Sequence, residues 1–123
     1  MKILVVDDSK AMRMIVVRTL RQAGFGGHEI VEAENGAVGL AALKAGGFDL
    51  VLSDWNMPEM NGFELLVALR AAGNKIQFGF VTSEGTASMR QQAADAGANF
   101  LIAKPFTPES FAETLKGVIP VAA

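Results

Sequence analysis

Residues 3–8, Ile3-Leu4-Val5-Val6-Asp7-Asp8, run four apolar side chains straight into two acids. A continuous apolar run of that length, without polar alternation, fits a strand covered on both faces, as strands of a parallel sheet are. It is far too short for a signal peptide or a membrane span. Runs of the same kind recur at residues 48–52, 78–82 and 100–103, with a weaker one at 30–33. Between them lie longer segments of helical period, so the chain alternates strand and helix, the pattern of βα units around a parallel sheet.

The first helix is marked by Met12, Ile15, Val16, Leu20 and Ala23 at three- and four-residue steps, an apolar stripe that Gly24 stops. A second is predicted from Val38, Ala41 and Ala42 ahead of Gly46 and Gly47, and a third from Phe63, Leu66, Leu69 and Arg70 ahead of Gly73. The fourth, over 88–96, is mostly Ala and Gln with Met89 as its one large apolar residue, so it is expected to pack lightly and move most easily. The fifth opens on Thr107 as N-cap, with Pro108 and Glu109 in its first turn, and turns Phe111, Leu115 and Val118 inward. Five βα units account for residues 1–123 as a single domain, with no output domain within them.

Composition narrows the function. The chain has 123 residues, half of them hydrophobic, which suits one domain with a real core. Its net charge of −2 and the absence of a basic cluster argue against direct nucleic-acid binding or attraction to an anionic membrane. With no cysteine there are no disulfides, thiolate metal sites or thiol nucleophiles, and a reducing, cytoplasmic setting is expected.

In open parallel sheets, ligands bind in the crevice beyond the carboxyl ends of the strands. The first run ends at Asp7-Asp8, the third at Asp54, the fourth at Thr82-Ser83 and the fifth at Lys104-Pro105. If these runs are neighbours, three carboxylates, a hydroxyl and an ammonium share one small volume. Crowded carboxylates repel unless a cation sits among them, and Mg²⁺ suits a site of oxygen donors with no histidine or thiolate at hand. Asp54 stands singly at its strand end and is the choice for a nucleophile toward phosphorus; Asp7 and Asp8 are better suited to hold the ion. Thr82 and Lys104 would grip the phosphoryl oxygens. Each residue singly has an ordinary explanation, as a cap, a turn residue or a solvated lysine. The weight comes from all of them falling at strand ends on one side. His28, a loop residue far from these ends in sequence, is given no chemical role.

The motifs V-V-D-D at 5–8, S-D-W-N-M-P at 53–58, Gly62, Thr82 with Glu84, G-A at 97–98 and K-P-F-T at 104–107 together resemble the CheY-like receiver domains of response regulators. The resemblance implies a flavodoxin-like doubly wound (βα)5 fold with a five-stranded parallel sheet in the order 2-1-3-4-5. It implies that Asp8, Asp54 and the backbone carbonyl of Asn56 contact Mg²⁺ directly, that Asp7 acts through water, and that Lys104-Pro105 is a cis peptide. The phosphodonor would be a histidine kinase or a small acyl phosphate. The switch would catalyse its own phosphorylation and dephosphorylation rather than turn over a substrate. Its output would be phosphorylation-dependent binding of a target protein, with a phosphatase or a histidine phosphotransfer protein as further partners and the chain itself a monomer. The docking face would be the fourth helix, fifth strand and fifth helix, with Leu101, Ala103 and Phe106 as exposed elements. The resemblance departs at Leu101, where the family carries an aromatic ring that swings inward on switching. Phe100 beside it should face the other way by strand alternation. Switching is therefore expected to run through the loop at 82–86, with Ser83 and Glu84, and the light fourth helix.

Three other readings are weaker. A relay intermediate would pass its phosphate to another protein's histidine. A magnesium phosphatase with an aspartyl nucleophile would resemble D-x-D, but Asn56 stands where its general acid belongs. A flavin-type cofactor binder of the same fold would need small or hydroxyl residues after the first strand, where Asp7-Asp8 repel phosphate.

Overall fold

The computed structural model describes residues 1–119. Five strands, β1 (Lys2–Val6), β2 (Glu29–Ala33), β3 (Leu50–Ser53), β4 (Gln77–Thr82) and β5 (Phe100–Ala103), form one parallel sheet in the order β2-β1-β3-β4-β5. Helices α1 (Lys10–Leu20), α2 (Gly36–Lys44), α3 (Gly62–Ala71), α4 (Ala87–Ala96) and α5 (Pro108–Leu115) alternate with them. After Leu20 the chain makes a wider helical turn over Arg21–Phe25, which Gly24 ends at φ 100°. The expected fold and strand order are both present. None of the described helices is long and apolar enough to cross a membrane.

Alternation along each strand divides the core into two layers. Ile3, Val5, Leu50, Leu52, Val81 and Ile102 pack with Val16 and Leu20 of α1 and Phe111 and Leu115 of α5. Leu4, Val6, Val51, Phe78 and Phe80 pack with Leu43 of α2, Leu65, Leu66 and Leu69 of α3 and Ala93 of α4. With both faces covered, Leu50 to Ser53 are buried without a break, which is why the runs read as continuous rather than alternating.

Two helix faces differ from the sequence reading. In α2 the buried residues are Gly36, Gly39 and Leu43, while Val38 and Ala41 face solvent. A Cβ on Gly39 would lie 3.2 Å from Val6 Cγ2, so the helix seats close to the sheet on a glycine surface that hydrophobic periodicity does not register. In α1, Val16 and Leu20 point inward as expected, but Ile15 is exposed. The third strand also starts later than its apolar run: Phe48 precedes it, its ring beneath the Lys2 ammonium at 4.6 Å, and Ser53 completes it opposite Val6 and Phe80.

α4 buries a single side chain, Ala93, in line with its expected light packing. Phe100, directly opposite Gly79 in the ladder, packs on the α1–α5 side, and Leu101 on the other. The Phe100 ring lies over Gly79, so that a Cβ there would fall 1.9 Å from Phe100 Cε2. Gly79→Ala is accordingly expected to destabilise the protein by about 1–3 kcal/mol in urea unfolding, because the ring must leave its seat. In a Phe100→Ala background the same change should become neutral or stabilising, since the obstacle is gone and alanine suits a strand better than glycine.

Candidate functional site

The β1–α1 connection is built for an acid pair. Ser9 caps α1 by accepting the Met12 amide at 3.2 Å, and its own amide donates to Asp7 Oδ1 at 2.9 Å. The Asp7 amide donates to Ala33 O of β2 at 3.1 Å. Asp7 is thereby fixed and buried, with Asp8 beside it in solvent. On β3 the Asp54 amide donates to Val6 O at 2.9 Å, continuing the ladder one residue past the strand and bringing its carboxylate to the same end. One carboxylate oxygen from each of Asp7, Asp8 and Asp54 lies within 4.8 Å of the others.

Lys104 reaches this cluster from β5. Its amide donates to Thr82 O at 2.8 Å, the Lys104-Pro105 bond is cis, and its ammonium stands 3.7 Å from Asp7 Oδ2 and 3.8 Å from Asp54 Oδ2. Thr82 is fully buried at the end of β4, its Oγ1 accepting the Glu84 amide at 3.3 Å. Asp7, Asp8, Asp54 and the Lys104 ammonium thus come together, and Thr82 joins them through its backbone bond to Lys104 at the neighbouring strand end.

One ammonium does not balance three acids. Burial pushes the Asp54 carboxyl above its ordinary value, against the opposing pull of Lys104 and the Trp55 and Asn56 amides, with Asp8 adding to the rise. Asp7 is also raised, chiefly by burial and further by Asp54, although the Ser9 amide and Lys104 draw it down. A cluster that resists its own ionisation while offering oxygen donors from three residues can hold a hard dication, and its chemistry fits Mg²⁺.

Other expected residues sit at the rim. Asn56, Ser83 and Glu84 are exposed around the acids. Leu101, Ala103 and Phe106 were expected to be exposed; all are half-buried. The Phe106 ring packs on Phe111 at 4.5 Å, and the β4–α4 loop lies over β5 so closely that a Cβ on Gly85 would meet Ala103 Cβ at 3.0 Å and Leu101 Cδ2 at 3.7 Å. The loop covers Leu101 and Ala103 because it carries small residues that permit this approach. Trp55 donates its amide to Asp54 Oδ1 at 2.7 Å, but its ring is buried between Phe63 and Phe80, with centroids at 5.4 and 4.6 Å.

Several contributors escape sequence reasoning. Ser53 Oγ donates to Asp54 O at 2.8 Å, and Arg13 Nη1 donates to Asp7 O at 2.7 Å. Met12 and Ile15 line an apolar recess beside Lys104 together with Pro105 and Phe106. Ile15 is exposed there, which its helical period does not show.

Comparison with known proteins agrees with this geometry. The family model described as "Response regulator receiver domain" matches residues 3–116. The chemotaxis protein CheY-3 of Vibrio cholerae is 43% identical over 117 residues, covering 94% of this chain and 88% of that protein. The chemotaxis protein CheY of Pseudomonas aeruginosa is 39% identical over 120 residues, covering 96% and 95%. Among solved structures, Vibrio cholerae CheY4 superimposes with a TM-score of 0.83 at 37% identity, covering 96% of this chain and 98% of that one. Five parallel strands in the order β2-β1-β3-β4-β5, an acid cluster at their carboxyl ends and a family match across nearly the whole chain lead to one conclusion: the protein belongs to the response regulator receiver domain family.

Proposed function

We propose that the chain is a phospho-accepting switch in which Asp54 takes a phosphoryl group from a histidine kinase, in a reaction that needs Mg²⁺ at the acid cluster. The supporting observation is the Lys104 ammonium, held 3.7 and 3.8 Å from Asp7 and Asp54. In this reading Asp54 Oδ attacks phosphorus, the bond from phosphorus to the donor's nitrogen or acyl oxygen breaks, and an acyl phosphate is left on Asp54. Asp8, Asp54 and the Asn56 carbonyl would hold the ion, with Asp7 behind them. When bound, Mg²⁺ neutralises charge on the transferring group. Lys104 would pair with one phosphoryl oxygen and the Thr82 hydroxyl with another, contacts that exist only in the phosphorylated state and so can bias a conformational equilibrium.

With Leu101 in place of a swinging ring, the moving parts are the loop at 82–86 and α4, which Ala93 anchors. The face of α4, β5 and α5 would dock a target protein. The chemotaxis relatives at 43% and 39% identity favour a motility pathway. To test the chemistry, the protein is incubated with Mg²⁺ and acetyl phosphate and its intact mass measured. One phosphoryl group, lost on hydroxylamine treatment and carried by the peptide containing Asp54, is the expected result. No mass gain, or a phosphate elsewhere, would overturn the reading.

A further inference from the structure

Arg13 is not among the residues that the phosphoryl chemistry calls for, yet it is engaged at both ends of its guanidinium. It lies in the first turn of α1, with its side chain 14% exposed. Nη1 donates to the carbonyl oxygen of Asp7 at 2.7 Å, and Nε donates to Glu32 Oε1 on β2 at 3.0 Å. Glu32 stands opposite Val5 in the β1–β2 ladder, one residue before the Ala33 carbonyl that receives the Asp7 amide. The Asp7 residue is therefore tied to β2 twice, directly through its amide and through Arg13 from its carbonyl. Between these ties lies Asp7 itself, the residue with which the β1–α1 turn begins.

We propose that Arg13 is a positioning residue for the metal site: bridging Glu32 to the Asp7 carbonyl, it holds the β1–α1 turn so that Asp7 and Asp8 converge with Asp54. This rests on the proposed Mg²⁺ dependence of the site. A planar guanidinium can satisfy two acceptors set apart in this way, whereas a lysine ammonium is a single point donor on a flexible stem. Pairing with Glu32 also answers the charge of Arg13, so that a cation near the acids opposes a second cation less than an unpaired one would.

Charge and positioning predict opposite signs. If Arg13 acted only through its charge, deleting it would strengthen Mg²⁺ binding, because a repelling cation would be gone. If it positions the acids, deleting it weakens binding, and partners that orient metal ligands typically contribute about 10–100-fold in affinity.

The test is calorimetric titration of the metal-free protein with Mg²⁺, in the wild type, Arg13→Ala, Arg13→Lys, Glu32→Ala and the Arg13→Ala/Glu32→Ala double variant, each checked for folding by circular dichroism. Arg13→Ala is expected to weaken binding about tenfold or more. Arg13→Lys and Glu32→Ala should shift it in the same direction by less, and the double variant should bind no worse than Arg13→Ala, since both changes break one bridge. Faster hydrogen exchange at the Ser9 amide should accompany the loss. Should Arg13→Ala fail to fold, Arg13→Lys and Glu32→Ala carry the comparison. Unchanged or tighter Mg²⁺ binding in the folded Arg13 variants would overturn the role of Arg13 and leave the proposed function standing. A wild type that binds no Mg²⁺ would overturn both.

Discussion

Asp54→Asn is expected to abolish phosphoryl uptake from acetyl phosphate and, in the absence of metal, to make the protein more stable than the wild type. The two effects have one cause. Asp54 is largely buried beside Asp7 and Asp8, and its carboxyl is raised above 3.8 chiefly by burial. Such a group binds more protons folded than unfolded between these two values, so the metal-free protein loses stability as pH rises from 3.8 through the folded value. The penalty is complete once the pH has passed the folded value and vanishes below 3.8, where both states are protonated. Asparagine keeps an oxygen for the Trp55 amide, which now donates to Asp54 Oδ1 at 2.7 Å, but carries no charge.

In Mg²⁺-free buffer at neutral pH the variant should therefore unfold at higher urea than the wild type, with the gap closing in acid. Saturating Mg²⁺ should reverse the order. A ligand at 100 times its Kd stabilises the state it binds by about 2.7 kcal/mol, and the variant, left with Asp7 and Asp8, should gain much less. A metal-free variant no more stable than the wild type would show that Lys104 already balances the cluster. Retained phosphoryl uptake would place the nucleophile elsewhere.

How far the sequence disclosed this site depends on which force placed each residue. Strand runs are legible because burial on both faces demands continuous apolar character, and the residues that end those runs are the ones the parallel sheet gathers. The gathering of Asp7, Asp54 and Lys104 was legible on that ground. The inward face of α2 was only partly legible, since Gly36 and Gly39 share it with Leu43, and the close approach of a glycine leaves no hydrophobic signal. Arg13 was missed for another reason: its partners are a backbone carbonyl six residues back and a glutamate nineteen residues on, and one of these carries no side-chain identity. Leu101 was expected to be exposed but is half-buried, because its cover comes from Gly85 across a loop, which no local period encodes.

Gly62→Ala should damage the site most among the glycine substitutions, although Gly62 touches no ligand. It is the first residue of α3, and its amide donates to Trp55 O at 2.9 Å, folding the β3–α3 loop back over the strand end. A Cβ there would lie 2.0 Å from Asp54 O and 2.9 Å from Ser53 Oγ. Neither neighbour can yield cheaply. The first is backbone of the proposed nucleophile, and the second is a fully buried hydroxyl committed to that same carbonyl at 2.8 Å. Backbone torsion is not the obstacle, because Gly62 is absent from the positive-φ glycines. The clash must be relieved by moving Asp54, with a cost of about 3 kcal/mol in urea unfolding from overpacking and the loss of the Ser53 bond. Displacement of a reacting group by about 1 Å can slow chemistry on the order of 100-fold, so phosphoryl uptake should fall by that order in whatever fraction stays folded. Asn61→Ala separates position from stability: it removes the α3 cap, whose side chain accepts the Glu64 amide at 2.8 Å, at a cost of about 1 kcal/mol. Because Asn61 does not press on Asp54, its rate of phosphoryl uptake should stay close to the wild type. Gly26→Ala, where the nearest atom would be Arg21 Cγ at 3.4 Å, should alter neither quantity. Equal losses of rate in the Asn61 and Gly62 variants would mean that loop stability, and not the placement of Asp54, limits the reaction.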